Sequence, residues 1–531
     1  MSIIKLTDSN FTKQVSEFGF FAEAVPPCFT SKGIADNIQS ILSSIKANAK
    51  EAGSSKKNTT APIELSTYKN EISRRVLSVP NPEAFLRMVK LIAENWSDIQ
   101  SYAQSDNSLS PITYMRSYGE GDLLEEINSE NIREANRVKS DFVEGQKNCI
   151  QASIGFQYRL KVDIANCYPS IYTHSITWAI CGKKEAKRLL LMGDKQRKQE
   201  PALVQKAYSL GDCLDAFMRF QKNNETNGIV VGPFTSRIFS EIILASLDNK
   251  LREEGFVFRR YVDDYKFYFR SESDASESVK TIEKVLSEYN LNLNLSKTEI
   301  KQFPYEQISS LKQSFDSAMA RDGIFGVLNE AALFHVSGEK GAYKYALKYI
   351  RNHQLPTDAF PLVFPLLVNI MLLDPKYSKY VIQFMKKNKS IINTDELQNV
   401  INIELRNSLH LQLQQETLLF MYMIHELKLN VAADNLLSIL SSENDLAIII
   451  ALDMWTHHNN RVIRTREEAR RINKAAEELA KELSLEKYEG SRWLLLYESE
   501  VHSLFPKGMY TPVAMPQFFK LLQQTGIDLY K

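Results

Sequence analysis

Two aromatic-rich segments with strand character, residues 256–262 and 265–269, meet at Tyr261-Val262-Asp263-Asp264. They read as a β-hairpin with acid at its tip. Adjacent like charges are costly to bury unless a cation neutralises them, so this hairpin has two outlets. It is either an ordinary exposed turn, for which Asp is suited by its local backbone hydrogen bonding, or one wall of a divalent-metal site. The choice is made elsewhere in the chain.

A third carboxylate bears on it. Between residues 156 and 163 the sequence alternates, with Phe156, Tyr158, Leu160 and Val162 on one face and Gln157, Arg159, Lys161 and Asp163 on the other. That is the pattern of a half-buried strand ending in an acid. Its polar face is expected to look into a cleft carrying two cations and a carboxylate, although a solvated strand face gives the same alternation. Three carboxylates, one at a strand end and two on a hairpin, suit a two-metal site for in-line phosphoryl transfer. In such a site one ion lowers the pKa of an attacking 3′ hydroxyl and the other balances charge on the leaving pyrophosphate. Magnesium fits this set because it is a hard cation that prefers oxygen ligands.

The motifs around these acids resemble those of reverse transcriptases. Asp163-Ile164-Ala165-Asn166-Cys167-Tyr168 resembles the family's A motif, and Tyr261-Val262-Asp263-Asp264 its C motif. Between them, Gly228-Ile229-Val230-Val231-Gly232-Pro233-Phe234-Thr235-Ser236 resembles the B motif, a glycine loop feeding a helix whose core face is Phe234, Ile238, Ile242 and Ala245. Val231 stands where the family pattern has Gln, which removes an amide from the template and nucleotide contacts. Upstream, Arg74-Arg75-Val76-Leu77-Ser78-Val79-Pro80-Asn81-Pro82 resembles the fingers motif, with Arg75 the better match for a triphosphate-binding arginine. Downstream, Leu291-Asn292-Leu293-Asn294-Leu295-Ser296-Lys297-Thr298 resembles the D motif, whose lysine lies near the incoming nucleotide.

The resemblance implies a metal set of Asp163, Ile164, Asp263 and Asp264 holding two Mg²⁺ ions, with Mn²⁺ as a substitute. Asp163, Asp263 and Asp264 are the implied catalytic residues. Arg75, Tyr168, Gly232 and Lys297 are the implied nucleotide-binding residues. An aromatic residue at the place of Tyr168 packs under the deoxyribose and clashes with a 2′ hydroxyl, favouring dNTPs over rNTPs.

Length and pattern set the surroundings. At 531 residues the chain is too long for one small core. A net charge of +1 gives no global signature of a nucleic-acid binder, so any such surface must be local. Cys28, Cys149, Cys167, Cys181 and Cys213 are scattered, which argues against a disulfide framework or a structural Cys-X-X-Cys zinc site. No signal-like or membrane-spanning stretch is evident, so a soluble, cytoplasmic protein is expected. Residues 46–62 read as a flexible, lysine-rich loop. Beyond residue 310 strand signals fade, and helical stretches are expected over 341–351, 359–386, 396–427, 433–455, 464–483 and 492–504. The expected fold class is α+β reverse-transcriptase fingers and palm followed by an all-α, HEAT-like helical domain. Its expected units are an N-terminal helical extension and loop over 1–62, fingers and palm over 63–305, and the helical domain over 306–531.

The flanks narrow the resemblance. Phe18-Gly19-Phe20-Phe21-Ala22-Glu23-Ala24-Val25-Pro26-Pro27-Cys28-Phe29-Thr30-Ser31 resembles the N-terminal signature of bacterial abortive-infection and defence-associated reverse transcriptases, which also carry a helical C-terminal region. That group implies antiphage defence by DNA synthesis. In some members synthesis is primed from a protein hydroxyl without a conventional template, leaving DNA covalently attached; in others a partner noncoding RNA is copied. It also implies homo-oligomers, trimers or hexamers. Tyr510 and Tyr530 are candidate priming residues. The rival reading is a catalytically silent palm acting as an RNA-binding scaffold or phage sensor; an RNA polymerase is disfavoured by Tyr168.

Overall fold

A computed structural model describes residues 3–70, 73–116, 145–305, 311–339, 341–388 and 394–531. The expected boundary at residue 306 lies outside the described residues. Eight strands fall in the first part: β1 (Ile3–Lys5), β2 (Ile63–Tyr68), β3 (Arg74–Val79), β4 (Tyr114–Arg116), β5 (Tyr158–Asp163), β6 (Phe258–Tyr261), β7 (Asp264–Phe269) and β8 (Glu299–Gln302).

The central sheet is antiparallel in the order β6-β7-β5-β8, so the strand ending in Asp163 lies inside it beside the hairpin. Its apolar face carries Leu160, Val162, Phe258, Tyr265 and Phe267, all buried. The Tyr265 and Phe267 rings stack with centroids 5.6 Å apart. The helix Glu272–Ser287 packs against β5, β7 and β8 and is fixed at its start by Ser271, whose side chain accepts from the Asp274 N–H. The helix Phe234–Glu253 runs through the interior, with Ile238, Ile242 and Ala245 fully buried as its spacing predicts.

One part of the expected polar face is different. Arg159 is only 7% exposed; its guanidinium donates to the Tyr305 carbonyl at 2.6 Å and lies 3.4 Å from Glu299. The cause is β8, which pairs along β5 and brings Tyr305 over that end of the sheet. Only Lys161 and Asp163 are left to line the open end.

β2 and β3 form a separate antiparallel hairpin in which Arg75 lies opposite Thr67. The free edge of β2 is covered by the start of the helix Gln414–Glu426: the Ser66 and Tyr68 N–H groups donate to Gln414 and Gln415 at 2.7 and 2.8 Å. Residues 46–62, expected as a loop, hold two one-turn helices, Ala49–Ala52 and Ser55–Asn58. Asn58 donates to the Glu51 carbonyl and Thr60 bonds Phe220, which packs the segment onto the helices around it.

After residue 310 the described chain is helical apart from the two-residue parallel pair Val431–Ala432 and Val462–Ile463. Three stretches expected as single helices are each two. Asp374-Pro375 ends Phe360–Leu373 before Ser378–Lys387; Gln412, at φ 55°, separates Thr394–His410 from Gln414–Glu426; Asn444 caps Asp445–His457 after Ala433–Leu440. Apolar periodicity runs through such breaks because both helices face the same core. Also not anticipated were the helical stretch Leu311–Val336, which is broken at Asp322-Gly323, and the helix Gln517–Gln524. Buried apolar side chains form one connected cluster from Leu6 to Tyr530. No described helix is long and apolar enough to cross a membrane.

Candidate active site

Asp163 is the last residue of β5, and in the sheet register it lies opposite Asp264, the first residue of β7. The hairpin loop is therefore only Val262-Asp263, so its tip carries one carboxylate and the second belongs to the strand. The backbone brings the third acid in: the Ile164 N–H donates to the Asp263 carbonyl at 3.3 Å. All three acids thus converge at one end of the sheet. Ile164 follows directly, but its side chain is apolar and buried, so only its carbonyl oxygen is available as a ligand.

The loop is strained and held. Val262 has φ 56°, a sign that suits the first position of a tight hairpin turn but is unfavourable for a β-branched residue. Its N–H donates to Ser110 Oγ at 3.1 Å, and its carbonyl accepts from the Arg260 guanidinium at 3.0 Å. Arg260 is fully buried between two buried acids of the helix Phe234–Glu253, with contacts of 2.8 Å to Glu241 and 2.7 Å to Asp248. Ser105 and Ser108 donate to the same two acids. This network bolts the hairpin to the helix and was not anticipated from the sequence; an arginine beside a hairpin usually reads as a surface charge.

Each acid has a distinct environment. Asp163 is 6% exposed, and its Oδ2 accepts from Lys297 Nζ and from Asn294 Nδ2, both at 3.0 Å. Lys297, expected near the incoming nucleotide, pairs here with Asp163, and Asn294 is an addition to the site. Asp264 is half-exposed with Lys161 at 3.9 Å. Burial raises the Asp263 carboxyl above the ordinary range, and the neighbouring Asp163 and Asp264 charges push it the same way. The three carboxylates share one end of the sheet, Asp163 opposite Asp264 and Asp263 in the turn before it, and carboxylate oxygens are the ligand type that hard divalent cations such as Mg²⁺ prefer.

The glycine loop closes one side. The Gly228 N–H donates to the Ile171 carbonyl and the Ile229 N–H to the Tyr168 carbonyl, tying the loop to the turn after Asp163. Gly228 has φ 75°, and a Cβ there would stand 2.8 Å from the Pro169 carbonyl oxygen, so no other residue fits. At Gly232 a Cβ would come within 3.1 Å of Ala22 and 3.3 Å of the Ser78 carbonyl. The Val231 carbonyl accepts from the Ser78 N–H at 2.7 Å, which stitches the loop to the end of β3.

Tyr168 sits between loop and helix, with its hydroxyl accepting from Ser240 at 3.3 Å; burial pushes that hydroxyl up to about 12. On β3 the two arginines divide. Arg74 forms a two-pronged pair with Glu416 of the helical half, at 2.9 and 2.6 Å. Arg75 is exposed, and its guanidinium has no ion-pair partner among the described residues. Tyr530 is buried, with its hydroxyl on Asp453, and Tyr510 is packed against Phe505.

Comparison with known proteins agrees with this geometry. Residues 125–315 match the family model described as reverse transcriptase (RNA-dependent DNA polymerase), a span that contains Asp163, Tyr168, Gly232, Asp263, Asp264 and Lys297. The chain therefore contains a reverse transcriptase domain, and its fold is α+β fingers and palm followed by a helical half. Similar solved structures include telomerase from Candida albicans in complex with a TWJ fragment of telomeric RNA, at 14% identity and a TM-score of 0.27, covering 70% of this chain and 63% of that one. Apo telomerase from Candida tropicalis is also similar, at 14% identity and a TM-score of 0.30, covering 69% of each chain. The chain spans less than two thirds of the Candida albicans chain's length. No curated protein matches it.

Proposed function

We propose that the chain is a DNA polymerase of the reverse-transcriptase kind, adding dNTPs to a 3′ end with two Mg²⁺ ions. The observation that carries this is the convergence of Asp163, Asp263 and Asp264 at one sheet end. These three side chains, with the Ile164 carbonyl, would hold the ions, and Mn²⁺ would substitute. When bound, the ions lower the pKa of the attacking hydroxyl and balance charge on the departing pyrophosphate.

The chain's own groups do the positioning. The exposed Arg75 guanidinium offers paired donors to a triphosphate. Gly232 lets the backbone approach the nucleotide closely. The Tyr168 hydroxyl is held by Ser240 and its backbone carbonyl by the glycine loop, and its ring would take the space a ribose 2′ hydroxyl needs. Lys297 keeps a positive charge beside Asp163, near the place where negative charge develops on the leaving group.

The N-terminal segment 18–31 and the helical half support a role in bacterial antiphage defence, in the cytoplasm, as a trimer or hexamer. The DNA made there is either attached to a protein hydroxyl or copied from a bound noncoding RNA. Isolation of the protein from cells, followed by assays for covalently linked DNA and co-purifying RNA, separates these two routes. Supplied with Mg²⁺ and equal dNTPs and rNTPs, the purified chain is expected to incorporate dNTPs. Tyr168→Ala is expected to admit rNTPs as well. A preference for rNTPs in the wild type that persists in Tyr168→Ala would overturn the sugar assignment, and no incorporation of either would favour the silent scaffold.

A further inference from the structure

A second cluster of ligating side chains lies in the helical half, with a different chemistry from the acids of the sheet. His425 is in the last turn of the helix Gln414–Glu426, Asp453 is within Asp445–His457, and His458 follows that helix directly. His425 Nε2 is 3.5 Å and His458 Nε2 4.0 Å from Asp453 Oδ2, and one ligand atom from each of the three lies within 4.8 Å of the others. Four donors around a tetrahedral zinc ion stand about 3.3 Å apart, so small side-chain rotations bring these three into place. His458, the most exposed of them at 45%, has room to make that movement.

The surroundings match what orients metal ligands. A ligating histidine usually turns its other ring nitrogen to a carboxylate. Here His425 Nδ1 faces Glu426 at 3.8 Å and makes no hydrogen bond among the described residues. The Asp453 carboxylate accepts from the Tyr530 hydroxyl at 3.1 Å. We propose that His425, Asp453 and His458 bind one divalent ion of the zinc class, with an open fourth position for water. Two imidazoles and one carboxylate select zinc or its neighbours over magnesium.

The ion would reinforce a clasp. Tyr530 pairs with Phe29, the Lys531 N–H donates to the Cys28 carbonyl, and the Thr30 N–H to the Leu529 carbonyl, each at 2.9 Å. By holding Asp453 under the Tyr530 hydroxyl, it would tie the helical half to the segment 28–30.

The test uses the full chain carrying Asp263→Asn and Asp264→Asn, which removes two of the three acids of the sheet and so disables that set as a competing site. The metal-stripped protein is titrated with ZnCl₂ against a fluorescent chelator, and its melting temperature is followed with and without ZnCl₂. One zinc per chain is expected, with a higher melting temperature. Adding the surface change His458→Ala is expected to weaken binding at least tenfold and abolish the thermal shift, as is His425→Ala made separately. Failure of the parent to bind zinc would overturn the proposal, leaving His425 as an ion-pair partner of Asp453 and Glu426. Unchanged zinc binding in His458→Ala and His425→Ala would overturn it equally.

Discussion

A charged Asp263 is held in the fold at a cost, because burial and the adjacent Asp163 and Asp264 carboxylates raise its pKa. The folded state therefore binds this proton more tightly than the unfolded chain, so metal-free stability falls as pH rises from the unfolded carboxylate value through the raised folded one. Above that window Asp263→Asn is expected to raise the melting temperature measured in a chelator. Mg²⁺ should raise the melting temperature of the wild type and lose most of that effect in the variant. Arg75, exposed on β3, is proposed to serve substrate and not folding. Arg75→Ala should leave stability within about 0.5 kcal/mol, as expected for an exposed side chain, while raising the KM for dNTP about tenfold or more in steady-state assays. The placement of the three acids at a strand end and a hairpin was legible in the sequence because strand alternation and a tight turn are local patterns. Asn294 was less so, since an amide in a polar run has many ordinary uses.

The hairpin is a rigid element because the Arg260 network fixes it to the helix Phe234–Glu253. Arg260→Leu leaves Glu241 and Asp248 buried without their cation, and an uncompensated buried charge costs about 3–5 kcal/mol. Urea unfolding should show a loss of that size, with dNTP incorporation falling alongside it. Gly228→Ala meets both a positive φ and the Pro169 carbonyl, and should cost roughly 1–3 kcal/mol in the same measurement. Strand β5, the hairpin and the glycine-loop helix were readable because period-two and helical apolar patterns are local properties. Arg159 was misread as facing a cleft because only the later strand β8 and Tyr305 cover it. The helix breaks near residues 375, 412 and 441 were missed because the apolar pattern continues across them into the same core.

Across the whole molecule the helical half is built into the hairpin of β2 and β3. Gln414 and Gln415 take the N–H groups of β2, Glu416 takes Arg74, and the Tyr488 carbonyl accepts from Asn81 at 2.9 Å. Glu416→Ala is expected to cost about 1–2 kcal/mol in urea unfolding, a charged hydrogen-bonded pair discounted for partial exposure. None of this docking was legible, since its partners lie more than three hundred positions apart in the sequence. The polymerase reading meets its most direct test in labelled dNTP incorporation by the purified full chain in Mg²⁺, comparing wild type with the Asp263→Asn, Asp264→Asn double variant. Incorporation by the wild type and a loss of about a thousandfold or more in the variant are predicted, the effect of several kcal/mol of lost transition-state stabilisation. Equal incorporation by the two proteins would contradict it.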